Sequence, residues 1–320
     1  MLKAAVSKSL LYFQPTETYW QKTNKTPSIR LGEGSPGYYP LKMRIHYHRG
    51  HFPAFDETGI PLYPAPDGSG YTYYITTMAS YALGIWEVML SDDCEERPSA
   101  DDFITVANKI LQCSRQESCG RAFRNVNYRT GRVGNLSAMS LGMSASVMLR
   151  AWCLTQDMVY QQAAYEILGF FEREIDEGGV VGRVGKEKLP WYEEYPVAPF
   201  NHVLNGKIFS LWGLEELWRF CGSEQARDLY WQGLASIAAV IDRFDTGYWS
   251  YYWIPGQGAS DYVASMMYHN LHIVQLGILG ECESNSVLLD ASKRFKRYAS
   301  KPLNRVKAVS AIALSKARLK

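Results

Sequence analysis

Apolar residues recur at helical spacing in four stretches of this chain, and each stretch is followed by a second helical run. From Tyr73 to Leu90 the residues Met78, Ala82, Ile85, Trp86 and Met89 share a helical period. Ser99 is placed to cap a second helix, in which Phe103, Val106, Ala107, Ile110 and Leu111 form one face. Ser137 to Leu154 carries Met139, Met143, Val147 and Ala151 in register. The turn Thr155-Gln156-Asp157 then leads to a helix with Tyr160, Ala164, Ile167 and Phe171, which Gly178 and Gly179 end. Further helices are predicted from about Val203 to Phe220, on to about Asp242, from about Met267 to Leu279, and from about Ser284 to Tyr298.

The helix pairs begin near residues 73, 137, 203 and 267, a regular spacing. This predicts an all-α fold: an incomplete (α/α)4 toroid of helical hairpins, with first helices inside and second helices outside. The first helices carry the small residues that close packing needs: Ser80, Ala82 and Gly84; Ser140, Gly142 and Ser144; Gly206, Ser210 and Gly213. The loops between pairs are longer than helix connections usually are, and they are rich in Tyr, Trp and Gly, so they are expected to be ordered, with short β-hairpins. A plain helical solenoid has no need of such loops. Residues 1–72, dense in Pro, Gly and Tyr, read as an irregular segment packed on the toroid. Within it Met43 to Tyr47 alternates like a strand, and Asp56 to Pro61 reads as a turn. Residues 73–300 form the toroid, and 301–320 a basic tail.

Net charge is +2, but residues 291–320 hold ten Lys or Arg and no acid, which leaves 24 basic against 32 acidic residues elsewhere. The acidic body argues against general nucleic-acid binding. The tail is a candidate for peripheral contact with an anionic membrane surface, against the plainer reading of a solvated amphipathic helix. Six cysteines at 94, 113, 119, 153, 221 and 282 form no CxxC and have no histidine at zinc-ligand spacing, which points to a reducing compartment. The opening apolar run is too short for a signal peptide, and no apolar run of about 18 residues occurs. The expectation is a cytoplasmic protein, with the inner membrane surface as the alternative place for the tail.

The chemistry concentrates in three clusters. Trp191 to Gly206 sets Glu193 and Glu194 between Tyr192 and Tyr195, on a backbone stiffened by Pro196 and Pro199. Taken alone, this reads first as a solvated acidic surface loop with structural aromatics. Asp245 to Pro255 reads as a tight aromatic hairpin, with Tyr248, Ser250 and Tyr252 on one face and Trp249, Tyr251 and Trp253 on the other. Tyr268-His269-Asn270-Leu271-His272 begins a helix that brings residues 268, 269 and 272 to one face. The two histidines with Glu193 or Glu194 have the makings of a metal site, but hydrogen-bonded histidines at a helix start are the preferred reading, and no metal is assigned.

In this order the clusters resemble the C-terminal catalytic region of the D-glucuronyl C5-epimerases. The resemblance rests on Glu193-Glu194-Tyr195-Pro196, Val203-Leu204-Asn205-Gly206 and Ser210-Leu211-Trp212-Gly213-Leu214. It continues through Asp245-Thr246-Gly247 with Tyr252, Tyr268-His269, His272-Ile273 and Gln275-Leu276. It spans roughly residues 35 to 300 and implies a bacterial-type member lacking the large N-terminal β region of the animal enzymes. It further implies an α/α toroid, often dimeric, with no cofactor and no essential metal. Carried over by position, Glu194, Tyr195, Tyr252 and Tyr268 form the acid/base set and Asn205 lines the cleft. Tyr192, His269 and His272 join Asn205 as expected substrate contacts. Where the family has an arginine after the second tyrosine, this chain has Pro255. Arg44, Arg183 and Lys207 are the candidate replacements as carboxylate clamp.

The implied reaction converts D-glucuronyl to L-iduronyl residues in a polysaccharide or oligosaccharide. A proton leaves C5, α to the sugar carboxylate, and one returns from the other face, so acid and base stand on opposite sides. A glutamate acid needs a raised pKa, which burial among Trp191, Tyr192 and Tyr195 would supply. Two alternatives use the same residues: a uronate lyase, in which the C5 carbanion expels the group at C4, and a catalytically silent glycan-binding protein.

Overall fold

Helix α1 (Ile75–Met89) is buried on every side, from Met78 through Val88 with the exception of Ser80. A helix that is apolar all round belongs inside a fold. The next helix is of the other kind. In α2 (Ala100–Cys113) only Phe103, Val106, Ala107 and Ile110 are buried, the predicted face less Leu111. Ser99 caps it: its Oγ accepts from Asp102 N–H at 3.1 Å, and the Asp102 carboxylate accepts from Ser99 N–H at 2.7 Å. Each satisfies a donor that the helix start leaves open. These features belong to a computed structural model that describes residues 19–23, 34–92, 97–126, 133–198, 200–255 and 262–318.

The same alternation continues. Helix α3 (Ala138–Thr155), capped by Ser137, is buried from Ala138 to Ala151 apart from Met139. It is followed by α4 (Met158–Tyr165), capped by Asp157, and α5 (Leu168–Glu172). Then come α6 (Leu204–Cys221) with α7 (Glu224–Val240), and α8 (Met266–Cys282) with α9 (Ser286–Ala299). The pairs start at Ile75, Ala138, Leu204 and Met266, each within two residues of the position read from the sequence. Among the described residues no helix is long and apolar enough to cross a membrane.

The chain divides into two units. The larger comprises Thr23–Val197 and Gly206–Leu234, the smaller Met1–Lys22, Ala198–Asn205 and Ala235–Lys320. In the larger unit α1 packs on α3, and α3 crosses α6 backbone to backbone. A Cβ at Gly142 would stand 2.6 Å from Ser210 Cα, and one at Gly213 would stand 2.4 Å from Gly142 O. No larger residue fits that crossing without moving a helix. The pair Arg150–Glu216, with nitrogen–oxygen distances of 2.9 and 2.8 Å, ties the same two helices in the core.

Small antiparallel sheets occupy the connections. In the larger unit these are β1 (Ala54–Phe55), β2 (Pro61–Pro64) and β3 (Tyr71–Thr72); β4 (Arg115–Glu117) with β5 (Gly120–Ala122); β6 (Asn125–Val126) with β7 (Val133–Asn135); and β8 (Val181–Val184) with β9 (Leu189–Tyr192). The smaller unit has one sheet of β10 (Asn201–Val203), β11 (Tyr251–Pro255) and β12 (Tyr262–Val263), in that order. The turn expected at Asp56 to Pro61 joins β1 to β2, with Gly59 at φ +82°.

Three local expectations are corrected. Met43 to Tyr47 is not a strand; Arg44–Tyr47 is a 3-10 turn. The buried Glu87 carboxylate on α1 accepts from the N–H groups of Met43 and Arg44, capping the turn. The helix expected to run unbroken to Gly178 stops at Tyr165 and restarts at Leu168. There the β4–β5 hairpin crosses it: Arg121 N–H takes the Glu166 carbonyl at 3.1 Å, and a Cβ on Gly120 would lie 1.8 Å from that oxygen. Phe170 N–H, which would bond Glu166 in a continuous helix, instead donates to Ile167 O at 3.1 Å. The aromatic stretch at 245–255 is no self-contained hairpin, because β11 pairs with β10 on one side and β12 on the other. Trp249 lies in the turn before it, fully buried. The basic segment after residue 300 is helical, as its plainer reading had it, and forms α10 (Pro302–Arg318). Its Ala308 and Ile312 join Trp249, Val263, Met266 and Ala299 in the smaller unit's core.

Candidate active site

In the larger unit the β8–β9 hairpin delivers the acidic pair. Val181 pairs with Tyr192 and Gly182 with Trp191, and the chain then turns out of the sheet at Glu193. Glu193 keeps its main chain fixed at both ends. Its N–H donates to Val180 O at 2.8 Å, and its carbonyl accepts from Ala138 N–H, at the start of α3, at 2.9 Å. Both side chains point inward, Glu193 fully buried and Glu194 nearly so. Two glycines make room for them. A Cβ on Gly182 would meet Glu193 Oε1 at 2.4 Å, and one on Gly206 would meet Glu194 Oε2 at 2.3 Å.

The surroundings set the acidity. Burial pushes Glu194 up to about 7, repulsion from Glu193 adds to that, and the hydrogen bond from Tyr195 opposes it. The raised pKa expected from the sequence is therefore present, with burial as its main cause. Glu194 Oε2 has no hydrogen-bond partner among the described residues. Lys207, also fully buried, donates to Pro190 O at 2.8 Å and lies 4.2 Å from the Trp191 ring centre. Burial holds it well below the usual lysine range, and Glu193 partly restores its charge. Of the three candidate clamps, Lys207 is the one beside the acidic pair. Arg183 is engaged with Glu174, and Arg44 sits on the 3-10 turn. Tyr192 is placed otherwise than expected of a substrate contact. It is buried, packed against Phe171, and its hydroxyl donates to Leu229 O at 2.7 Å.

In the smaller unit β11 and the start of α8 bring the two remaining tyrosines together. Tyr252 and Tyr268 have ring centres 4.6 Å apart at 59°, Tyr252 nearly buried and Tyr268 half-buried. At the start of α8 the two histidines are hydrogen-bonded, as preferred from the sequence, and their shared partner is Ser250. Ser250 Oγ is 2.7 Å from His269 Nδ1 and 3.1 Å from His272 Nδ1. His269 Nε2 faces the Phe295 carbonyl at 3.1 Å, so that nitrogen carries the proton and Nδ1 accepts from Ser250. The His269 ring stacks on Trp249 with centres 3.7 Å apart. Burial holds both histidines neutral, at about 3. Both ring nitrogens of His269 are thus engaged within the protein. His272 differs: its Nε2 has no partner among the described residues. Asn205 is buried as well. Its carbonyl accepts from Gln275 Nε2 at 3.3 Å, while its own Oδ1 has no partner among the described residues. Among the described residues no three His, Cys, Asp or Glu side chains are grouped to hold a metal ion.

Comparison with known proteins matches this framework. Residues 118–297, more than half of the chain, fit the family described as D-glucuronyl C5-epimerase C-terminus. The chain belongs to that family. It is 30% identical over 177 residues to a D-glucuronyl C5-epimerase of Caenorhabditis elegans, across 51% of this chain and 28% of the relative. It is 28% identical over 148 residues to an uncharacterized protein of Methanocaldococcus jannaschii, across 46% of each. The chain thus spans less than half the length of these relatives. The family region runs from the β4–β5 hairpin into α9, so it includes the acidic pair, Ser250, both tyrosines and both histidines. Two features of this family member lay beyond sequence reading. Ser250 is one serine among many, and its role follows from strand pairing at a distance. Gly182 matters for the space it leaves to Glu193, which no side chain marks in a sequence. Lys207 did leave a signal, as the lone charge in the apolar run Val203 to Phe209.

Proposed function

We propose that this chain carries out uronate C5 epimerisation, turning D-glucuronyl into L-iduronyl residues within a glucuronate-containing glycan. One observation carries the reading: Glu194 is buried, bonded to Tyr195, and titrates at about 7. Near neutrality such a group is present in both forms, which suits a residue that takes or returns a proton. In this reading Glu194 serves one face of C5 and Tyr268 the other. The C5–H electron pair moves into the sugar carboxylate as an enediolate, and reprotonation from the opposite face gives the inverted centre. Tyr195 and Tyr252 hydrogen-bond the carboxylate as its charge grows. Asn205 Oδ1 and His272 Nε2, buried and without partners among the described residues, support a role for these two in holding sugar hydroxyls.

The test is incubation of the protein with glucuronate-containing glycans in heavy water, reading deuterium at C5. Epimerisation gives C5 deuterium with iduronate, and Glu194→Gln and Tyr268→Phe each remove it. Exchange by both variants at the wild-type rate would refute the assignment. An unsaturated, ultraviolet-absorbing product would mean the lyase reaction, and glycan binding with no exchange a silent binding protein.

A further inference from the structure

Helix α10 has two apolar faces. One, with Ala308 and Ile312, is buried in the smaller unit's core. The other carries Leu303, Val306, Ser310, Ala313 and Leu314, spaced as one stripe along the helix. Its three large residues stand in solvent, Leu303 at 76% exposure, Val306 at 49% and Leu314 at 62%. A polar outward face would be normal for a helix packed on one side only. The charge on this segment is also one-sided. Residues 291–320 hold ten Lys or Arg and no acid, and Lys296, Arg297, Lys301 and Lys307 are exposed. Lys307 lies within one helical turn of Val306 and Ser310, at the margin of the stripe.

These two properties together select an occupant. A second copy of α10 would cover the leucines but oppose base to base with no acid to relieve it. A polyanionic glycan would neutralise the bases but leave the leucines in water. An anionic phospholipid bilayer satisfies both: headgroups meet the cations while the apolar stripe enters the acyl boundary, with the helix lying in the plane of the interface. We propose that the outer face of α10 is a membrane-surface contact for anionic lipid, independent of the reaction assigned above. The helix does not span the bilayer. It rests on it by the stripe Leu303–Val306–Leu314.

The experiment is co-sedimentation of the full chain with vesicles of phosphatidylcholine alone, or of phosphatidylcholine mixed with phosphatidylglycerol. Expected is binding to the mixed vesicles only, weakening as salt rises. Lys307→Ala is expected to weaken it about fivefold. Leu303→Asp and Leu314→Asp are each expected to weaken it ~10- to 100-fold, with the helical circular-dichroism signal and melting temperature unchanged. The proposal is overturned if the mixed vesicles do not bind at low salt, or if both leucine variants bind as wild type. It is equally overturned if those leucine variants abolish a concentration-dependent dimer while vesicle binding is absent. Loss of heparin binding in the leucine variants, with no vesicle binding, would point to a glycan surface and also overturn it.

Discussion

A Cβ on Gly206 would stand 2.3 Å from Oε2 of Glu194. The second residue of the motif Asn205-Gly206 is therefore a notch in α6 that lets a buried carboxylate lie against the helix. Gly206→Ala is expected to displace Glu194, at a stability cost of about 1–3 kcal/mol for the overpacking. Displacement by about 1 Å is enough to cost roughly 100-fold in rate. Chemical denaturation and C5 deuterium exchange on the same preparation measure the two effects.

Glu194 gives the protein a distinct pH signature. Its folded value of about 7 lies above the ordinary 4.5. The folded state therefore holds a proton that the unfolded state has lost across this window. The contribution is complete below pH 4.5 and is lost as pH rises towards 7, by about 3 kcal/mol in all. Urea unfolding of the wild type and Glu194→Gln at several pH values checks this. The variant is expected to gain stability over the wild type as pH rises from 4.5 to 7, and to hold that gain above.

Tyr195→Phe removes the hydrogen bond that holds Glu194 down. The carboxyl is expected to titrate higher in the variant, so the pH profile of C5 exchange shifts towards alkali. Carbon-13 NMR of the Glu194 carboxyl reports the same shift without relying on activity.

Three buried histidines act in the opposite sense. His46, His269 and His272 are each held at about 3 against an ordinary 6.5. Their contribution is present above pH 6.5 and is lost as pH falls towards 3, where the unfolded chain binds protons that the folded one refuses. Three such groups outweigh one Glu194, so stability is expected to rise with pH up to about 6.5. Ser250→Ala takes the bridging hydroxyl from two of them and is expected to cost about 1–3 kcal/mol, seen as a lower melting temperature.

The helix pairs were readable because their determinants are local. Ser99, Ser137 and Asp157 cap helices, and the period of Phe103, Val106, Ala107 and Ile110 marks a buried face. Misreadings arose where a distant group decided the local structure. Glu87 turns Met43 to Tyr47 into a 3-10 coil, and the β4–β5 hairpin breaks the helix at Glu166. At the candidate site Glu194 and Tyr195 were visible as acid beside phenol in a stiff loop. Their supports, Gly182 and Gly206, matter for what they lack, and a missing side chain leaves no chemical sign in a sequence. Tyr192 and His269 were read as contacts because polar tips look available in one dimension. Leu229 and Phe295 take up those tips in three.

Glu193 has its amide tied to Val180 and its carbonyl to the first turn of α3. The acidic loop is thus held by main-chain atoms that every residue other than proline possesses. The side chain at 193 can therefore be exchanged for any but proline without losing these two main-chain bonds. The course of the loop and its acidity are thus set by different atoms, the main chain fixing the first and the carboxylates the second.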